Sequence, residues 1–259
     1  MTKPAAGFSS EWADFSSDQM KLLARVLLQV VREIGRQVPP PRGAPFFGLD
    51  HPAGDFSPYE RLAARGIFRK YESVLLIGCG LGGAVRWCHA HFGCDVTGTD
   101  PAVAAAASAA ALSSRAHLGA HTRFVAAADA ALPLAAKRFT HAWAIEVLPD
   151  ARAGDRRLRE IFRTVRPGAL AAVQQSAPGP SWSSATIAAM QSAGFVEVEA
   201  KETRRQAVPD TMRRARARLL DALAADPRGD DTATGLERLY RRWSGEGGPV
   251  VQVFGRRPA

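Results

Sequence analysis

SVLLIGCGLGG, residues 73–83, is the stretch that decides the fold. Its apolar half predicts a buried strand, and the cluster of glycines that follows predicts a tight turn into a helix. Such a turn lets the backbone approach a nucleotide-like ligand closely and points the N–H groups of the helix at it. The stretch therefore indicates a cofactor-binding enzyme, and by itself it leaves the cofactor open.

The composition is that of a globular protein without a membrane span. The chain has 259 residues, 46% of them hydrophobic, which predicts one large domain or one domain with an appended cap. No apolar run reaches the ~18 residues that a bilayer requires, and the polar, acidic N-terminus does not resemble a secretory signal. The three cysteines form no C-x-x-C pair, which predicts a reducing compartment. We therefore expect a cytoplasmic protein.

The net charge of +9 raises the question of a nucleic-acid partner. Arginines greatly outnumber lysines, and the basic residues are spread along the chain rather than interleaved with aromatic residues. Charge alone is weak evidence for nucleic-acid binding. We therefore do not expect a nucleic-acid partner.

Strand-like and helical segments alternate through most of the chain, which predicts a parallel sheet with helices on both faces. The predicted strands are 73–78, 94–99, 122–127, 139–145, 169–175, 195–200 and a final one at 249–255. The predicted helices between them are 82–92, 102–115, 151–166 and 183–193, with Pro167-Gly168 ending the third of these.

Two segments stand outside this alternation. Residues 1–70 contain a predicted amphipathic helix at 18–37 and then an irregular, aromatic-rich stretch, which we interpret as either a cap on the site or a strap on the core. Within the main domain, residues 71–259, a helical insertion at 203–245 is predicted to comprise helices 209–225 and 232–243. The arginine run at 213–218 is predicted to be a solvated face.

Two carboxylates further along the chain indicate which kind of ligand the glycine turn binds. Gly78, Gly80 and Gly83 fit G-x-G-x-x-G, and Asp100 ends the second predicted strand 20 positions after Gly80. A carboxylate there can accept both ribose hydroxyls of an adenosine. Asp129 follows the third strand and could accept from the adenine amine or cap a helix. Both a nicotinamide cofactor and S-adenosylmethionine fit this pattern.

From residue 71 to residue 254 the sequence resembles the class I S-adenosylmethionine-dependent methyltransferases. The matching segments are GCGLGG at 78–83, TGTD at 97–100, FTHAWAIEVL at 139–148, RTVRPGAL at 163–170 and AGF at 193–195. The resemblance implies a Rossmann-like, doubly wound α/β sheet of seven strands, mostly parallel with an antiparallel last strand. It implies S-adenosylmethionine as the cofactor, bound by Gly78, Cys79, Gly80, Gly82, Gly83, Asp100, Pro101, Asp129, Ala130 and Glu146.

A finer resemblance is to the group that contains tocopherol, sterol and sarcosine methyltransferases, which implies a small-molecule acceptor. It rests on Arg86, the helical insertion and the last strand. The chain departs from this group because no His follows Glu146, and because Ala144 and Ala169 replace more common residues. A non-catalytic relative that acts as a regulatory partner is therefore an alternative. An RNA methyltransferase is a weaker one, since the chain lacks N-P-P-Y, D-P-P-Y and Pro-Cys motifs, and a nicotinamide dehydrogenase is a minor one.

Four side chains are candidates for a catalytic role: His51, Tyr59, His141 and Glu146. Glu146 ranks first because it follows the fourth strand, and open α/β sheets bind ligands at the carboxyl ends of their strands. His141 is the second choice, although it lies within the strand pattern. Methyl transfer needs a base only when the acceptor must lose a proton. We predict no metal site, and either a monomer or a homodimer.

Overall fold

The computed structural model describes residues 11–41, 43–51, 53, 55–65, 72–128, 130–148, 150–152, 154–243 and 248–259. Its strands are β1 Ser73–Ile77, β2 Asp95–Asp100, β3 Thr122–Ala126, β4 Phe139–Ile145, β5 Val165–Ser176, β6 Val196–Arg204 and β7 Pro249–Arg256. Its helices are α1 Ser17–Gly35, α2 Ser57–Ala63, α3 Gly83–Phe92, α4 Val103–Arg115, α5 Arg156–Thr164, α6 Trp182–Ser192, α7 Asp210–Ala224 and α8 Asp230–Trp243, and a short 3-10 turn spans Glu11–Asp14.

The seven strands form one sheet in the order β3-β2-β1-β4-β5-β7-β6. All neighbours from β3 to β5 pair in parallel, whereas β7 is antiparallel to both β5 and β6. This confirms the predicted fold class. Because β1 pairs with β2 on one side and with β4 on the other, the strand order reverses there, and open α/β sheets bind ligands outside the carboxyl ends of the strands at such a point.

Two local predictions were wrong. β5 begins at Val165 rather than at residue 169, so Pro167-Gly168 lies inside the strand and not after a helix. The pairing shifts there from Phe139–Val165 to His141–Leu170, and such a bulge accommodates a proline that cannot donate to the ladder. The stretch predicted to be irregular contains a helix, α2. Pro58 lies in the first turn of this helix, where a proline is tolerated.

The N-terminal segment and the helical insertion pack together. Ser16 caps α1 with a reciprocal capping box. The apolar face of α1 contacts α4 and α7, and one buried cluster unites residues of α1, α7 and α8 with Phe46, Leu49 and Leu81 beside the glycine turn. The segment therefore covers the carboxyl edge of the sheet as well as the core. The boundary at residues 70 and 71 stays an interpretation, since residues 66–71 lie outside the described part.

The arginine run on α7 is only partly a solvated face. Arg213, Arg214 and Arg218 are exposed as predicted, but Arg216 is 6% exposed. Its guanidinium lies 4.3 Å from the centre of the Tyr240 ring and donates to the backbone oxygen of His51 over 3.0 Å. The periodicity of α7 turns this one arginine inward, where an aromatic face and a carbonyl replace its water.

Arg86, on the first helix after the glycine turn, is completely buried. Its Nε and Nη2 both donate to Oδ2 of Asp50, over 3.1 and 2.7 Å, and Nη2 also donates to the Leu81 carbonyl. Its Nη1 donates to the Ala109 carbonyl and to the Ser113 hydroxyl, over 3.0 and 3.1 Å. All the guanidinium nitrogens are thus engaged, and the N-terminal segment is tied to both α3 and α4.

Replacing Arg86 with methionine is expected to lower the free energy of unfolding by about 3–5 kcal/mol, because the buried Asp50 carboxylate loses its counter-charge. Urea unfolding of the purified protein measures this. The matched control is Arg25→Ala, since Arg25 pairs with Asp226 in a half-exposed bridge of 2.6 Å worth at most about 1 kcal/mol. Equal destabilisation by the two variants would contradict the role given to Arg86.

Candidate active site

The glycine turn between β1 and α3 has the backbone that its sequence predicts. Gly78, Gly80 and Gly82 all have positive φ angles, of 73°, 52° and 80°, which residues with side chains rarely adopt. The N–H groups of Gly78 and Cys79 donate to the Thr99 carbonyl on the neighbouring strand, over 2.8 and 2.9 Å. The turn is therefore fastened to β2, and Gly83 opens α3 directly behind it.

Asp100 lies at the end of β2 with 1% of its surface exposed. Its Oδ2 accepts from the N–H of Gly80 over 2.9 Å, and its Oδ1 accepts from the N–H of Ala102 over 2.9 Å. A carboxylate oxygen can accept more than one hydrogen bond, and both oxygens here accept from backbone N–H groups. The carboxylate is thus held in a fixed orientation beside the glycine turn.

The N-terminal segment lies directly on this turn. A Cβ placed on Gly80 would come within 2.2 Å of Nε1 of Trp12, and one on Gly83 within 2.6 Å of the backbone oxygen of Asp50. Trp12 is itself buried, at 5% exposure. Only glycine fits at either position, and a ligand that binds the turn must pass or displace the Trp12 side chain.

Three of four further residues predicted to bind the cofactor lie within the described part of the chain. Cys79 is half-buried within the turn, Pro101 is half-buried next to Asp100, and Ala130 is exposed after β3. Asp129 lies outside the described residues. Sequence reasoning missed Gly98 on β2, where a Cβ would come within 2.7 Å of the Cys79 side chain. A glycine in the centre of a strand is the signal that could have found this close approach.

Glu146 follows β4 and is held on the carboxyl side of the sheet. Its φ angle is +60°, a strained value for a residue with a side chain. Its Oε2 accepts from Nε2 of Gln175 over 3.0 Å and from the N–H of Ser176 over 2.9 Å. Its Oε1 accepts from the Ser176 hydroxyl and lies 3.5 Å from Nη2 of Arg205. Burial raises the pKa of Glu146, although these donors oppose the rise.

Glu146 lines a small cavity between the N-terminal segment and the ends of β4, β5 and β7. Its volume is about 20 Å³, which is room for about one water molecule. The wall contributed by the N-terminal segment carries His51, Asp55, Tyr59 and Arg61, and Arg205 faces it from beyond β6. The cavity is therefore small, enclosed and lined by several charged groups.

His51 and Tyr59, two of the predicted candidates, meet in this wall. Nε2 of His51 lies 3.2 Å from the Tyr59 hydroxyl, and the Tyr59 ring packs between Trp87 and Trp143. Burial, together with the nearby Arg216 and Arg205, lowers the pKa of His51 to about 3. Burial also raises the pKa of Tyr59. Both groups are therefore neutral near pH 7.

The structure places His141 elsewhere. It lies early in β4, paired with Val74 and Leu170, and its Nδ1 is 2.9 Å from the Thr140 hydroxyl and 3.8 Å from Glu72. Five residues of extended chain separate it from Glu146, which is roughly 16 Å. This placement at the amino side of the sheet argues against a catalytic role for His141, and we do not carry that hypothesis further.

Arg61, Asp55 and Arg205 line the cavity, but sequence reasoning did not select them. Arg61 and Asp55 belong to a stretch without a motif, and Arg205 follows an edge strand. The only local signal is Pro58, which could have predicted α2 and hence that Arg61 lies one turn after Ser57. Their convergence on Glu146 depends on long-range packing.

The His51 site predicts a pH dependence of stability. The unfolded imidazole takes up a proton below a pKa of 6.5, whereas the folded one stays neutral down to a pKa of about 3. Its contribution to stability is therefore full above pH 6.5 and is lost as the pH falls, by about 2 kcal/mol between pH 7 and pH 5. Between these pH values the loss measured by urea unfolding should be about 2 kcal/mol smaller in His51→Asn than in the wild type, because the buried His141, with a pKa lowered to about 4, contributes equally to both.

His121→Asn is the matched control, because the His121 imidazole is exposed at the surface, with 56% of the side chain accessible. The control should keep the pH dependence of the wild type. An identical pH dependence in the wild type and in His51→Asn would show that the folded imidazole is not kept neutral by its surroundings.

Comparison with known proteins finds a family match in the part of the chain that contains strands β1 to β5. Residues 75–173 match the family model described as a methyltransferase domain. This range begins in β1, contains the glycine turn, Asp100 and Glu146, and ends in β5. None of the curated proteins matches the sequence significantly.

Solved structures with the same fold cover most of the chain. The [4+2]-cyclase SpnF is 20% identical, with a TM-score of 0.55, over 79% of this chain and 82% of its own. A geranyl diphosphate methyltransferase in complex with SAM is 17% identical, with a TM-score of 0.52, over 78% and 85%. Phosphoethanolamine N-methyltransferase 2 from Haemonchus contortus, with S-adenosyl-L-methionine, is 12% identical, with a TM-score of 0.55, over 100% and 62%.

The residues present fit the predicted cofactor. Oriented acceptor atoms of Asp100 lie beside a turn whose glycines carry no side chains of their own, which lets an adenosine-containing molecule approach the backbone once Trp12 moves aside. The comparisons agree with this assignment and confirm the resemblance drawn from the sequence. Residues 75–173 therefore match a methyltransferase domain, and the chain has the Rossmann-like fold of these solved structures.

Proposed function

We propose that this protein transfers a methyl group from S-adenosylmethionine to a small-molecule acceptor. The observation that carries the proposal is the position of the charged cavity. It lies at the carboxyl ends of β4 and β5, and β4 pairs with β1, the strand that leads into the glycine turn. A donor held by the turn and an acceptor held in the cavity would be neighbours across the end of β4.

On this proposal the residues at the ends of β1 and β2 would hold the cofactor. Asp100 would accept hydrogen bonds from the ribose hydroxyls, the turn at Gly78, Gly80, Gly82 and Gly83 would bind the methionine half, and Asp129 and Ala130 would bind the adenine. The bound cofactor supplies an electrophilic methyl group. The protein supplies alignment, which is worth about 7–11 kcal/mol of the barrier when the reacting atoms are well oriented.

The cavity residues suit alignment better than strong base catalysis. Burial and nearby arginines lower the pKa of His51 to about 3, so it is a weak base in the present arrangement. Glu146 already accepts three hydrogen bonds and faces Arg205. We therefore propose that Glu146 positions Arg205 and Ser176, while His51 and Tyr59 orient the acceptor by hydrogen bonds. An acceptor atom that is nucleophilic without losing a proton fits such a site.

We further propose that the acceptor is a freely diffusing cytoplasmic molecule and not a nucleic acid, and that the chain acts as a monomer or homodimer. No described helix is long and apolar enough to cross a membrane. Many of the arginines are engaged within the protein, as Arg86 and Arg216 illustrate, which reduces the basic surface left for a polyanion.

Replacing Asp100 with asparagine should weaken the binding of S-adenosylhomocysteine by about 10- to 150-fold. The change removes charge-assisted hydrogen bonds to the ribose, which contribute about 1.5–3 kcal/mol. Isothermal titration calorimetry measures the effect. The control, Asp95→Asn, changes the exposed carboxylate at the opposite end of the same strand and should bind normally. Unchanged affinity in Asp100→Asn would refute the assignment of the ribose site.

Methyl transfer itself is tested by the release of S-adenosylhomocysteine from the cofactor in the presence of fractionated small molecules. The proposal expects at least one fraction to raise the release above the acceptor-free rate, and Asp100→Asn to abolish the rise at low cofactor concentration. Tight cofactor binding without turnover in any fraction would favour the regulatory-partner alternative instead.

A further inference from the structure

The cavity beside Glu146 lies apart from the residues that face the cofactor. Its lining includes neither the glycines at 78–83 nor Asp100. It is bounded instead by the N-terminal segment and by Ile145, Gln174 and Val250 at the ends of β4, β5 and β7. A group bound there therefore belongs to the acceptor side of the site, if the proposed function is correct.

Arg61 on α2 lines this cavity and carries buried hydrogen-bond donors that have no partner among the described residues. Its Nη1 donates to the Ser57 hydroxyl over 2.8 Å. Its Nε and Nη2 are buried and have no hydrogen-bond partner among the described residues. Burial lowers the pKa of this guanidinium, which nevertheless stays protonated. Leaving such donors unsatisfied costs about 1–3 kcal/mol each, so the arrangement is costly unless an acceptor group arrives.

The two carboxylates that line the cavity accept hydrogen bonds from groups other than Arg61. Asp55, which attracts Arg61, uses Oδ1 to accept from the N–H of Ser57 over 2.9 Å and Oδ2 to accept from the N–H of Gln206 over 3.4 Å. Glu146 accepts from Gln175 and Ser176 and faces Arg205. With His51 neutral, the lining carries two cationic groups, Arg61 and Arg205, and two carboxylates whose oxygens already accept hydrogen bonds from other donors.

We propose that the Nε–Nη2 edge of Arg61 binds a carboxylate or phosphate group of the methyl acceptor, so that the acceptor of this enzyme is an anionic small molecule. The planar edge of a guanidinium matches two oxygens of such a group. The proposal rests on the function proposed above. A cavity of about 20 Å³ admits one oxygen of the group, so binding of the whole acceptor widens it.

Arg61 could instead bind a carboxylate of the cofactor, the one in its methionine half. The two possibilities differ in what they predict for cofactor analogues. S-adenosylhomocysteine carries this carboxylate, whereas 5′-methylthioadenosine lacks it. If Arg61 serves the acceptor, substitution of Arg61 changes the affinity of neither analogue.

The test uses inorganic phosphate as the probe, with the full-length protein saturated with S-adenosylhomocysteine and the ionic strength held constant with sodium chloride. Thermal unfolding is followed as phosphate increases, for the wild type, Arg61→Gln and Arg61→Lys. The wild type should be stabilised with a saturable dependence on phosphate. Arg61→Gln should bind phosphate at least about tenfold more weakly, and Arg61→Lys should fall between the two because it keeps the charge but not the planar edge.

Arg65→Gln is the matched control, because Arg65 lies just beyond α2 and pairs with Glu199 at the surface. It should respond to phosphate as the wild type does. Titration of both cofactor analogues into each variant provides the second readout, and their normal binding shows that Arg61→Gln is folded.

Two results would overturn the proposal. The first is equal phosphate stabilisation of the wild type and Arg61→Gln, which would show that the cavity does not bind anions through Arg61. The second is weaker binding of S-adenosylhomocysteine, but not of 5′-methylthioadenosine, by Arg61→Gln, which would assign Arg61 to the cofactor. Failure of the proposed function is distinguishable, since it would appear as cofactor binding without release of S-adenosylhomocysteine in any small-molecule fraction.

Discussion

The buried ion pair between Arg86 and Asp50 is the constraint on which the site depends. A fully buried guanidinium is stable only if its charge is compensated and its donors are satisfied. Asp50 compensates the charge over 2.7 and 3.1 Å, and Ala109 and Ser113 accept from Nη1. The pair fixes the N-terminal segment against α3 at the position where Gly83 meets the Asp50 carbonyl. It thereby determines where His51 lies, because His51 is the next residue in the chain.

On the proposed function, the site consists of a donor half and an acceptor half that are built from different parts of the chain. The sheet provides the donor half, since the turn after β1 and Asp100 at the end of β2 are fixed by pairing with neighbouring strands. The N-terminal segment and the helical insertion provide the acceptor half, through Tyr59, Arg61 and the burial of Arg216. Variation in these two segments can change the acceptor without altering the cofactor site.

The donor half could be predicted from the sequence because its signals are local. The glycine turn and Asp100 are a pattern of fixed spacing with a direct backbone reason, and the structure has them as expected. The acceptor half could not, since Arg61 and Arg205 are 144 positions apart in the sequence and meet only through tertiary packing. His141 shows that residue type alone does not identify a site residue. Histidine is a common catalytic residue, but the pairing register of β4 places His141 near the amino ends of the strands, away from Glu146.

The most direct test of the central claim is a crystal structure of the protein with S-adenosylhomocysteine and phosphate. The account predicts the ribose hydroxyls within hydrogen-bond distance of Asp100, the thioether sulfur directed towards the cavity beside Glu146, and phosphate on the Nε–Nη2 edge of Arg61. A nucleoside bound away from Asp100, or a sulfur directed away from the cavity, would contradict the division of the site into donor and acceptor halves.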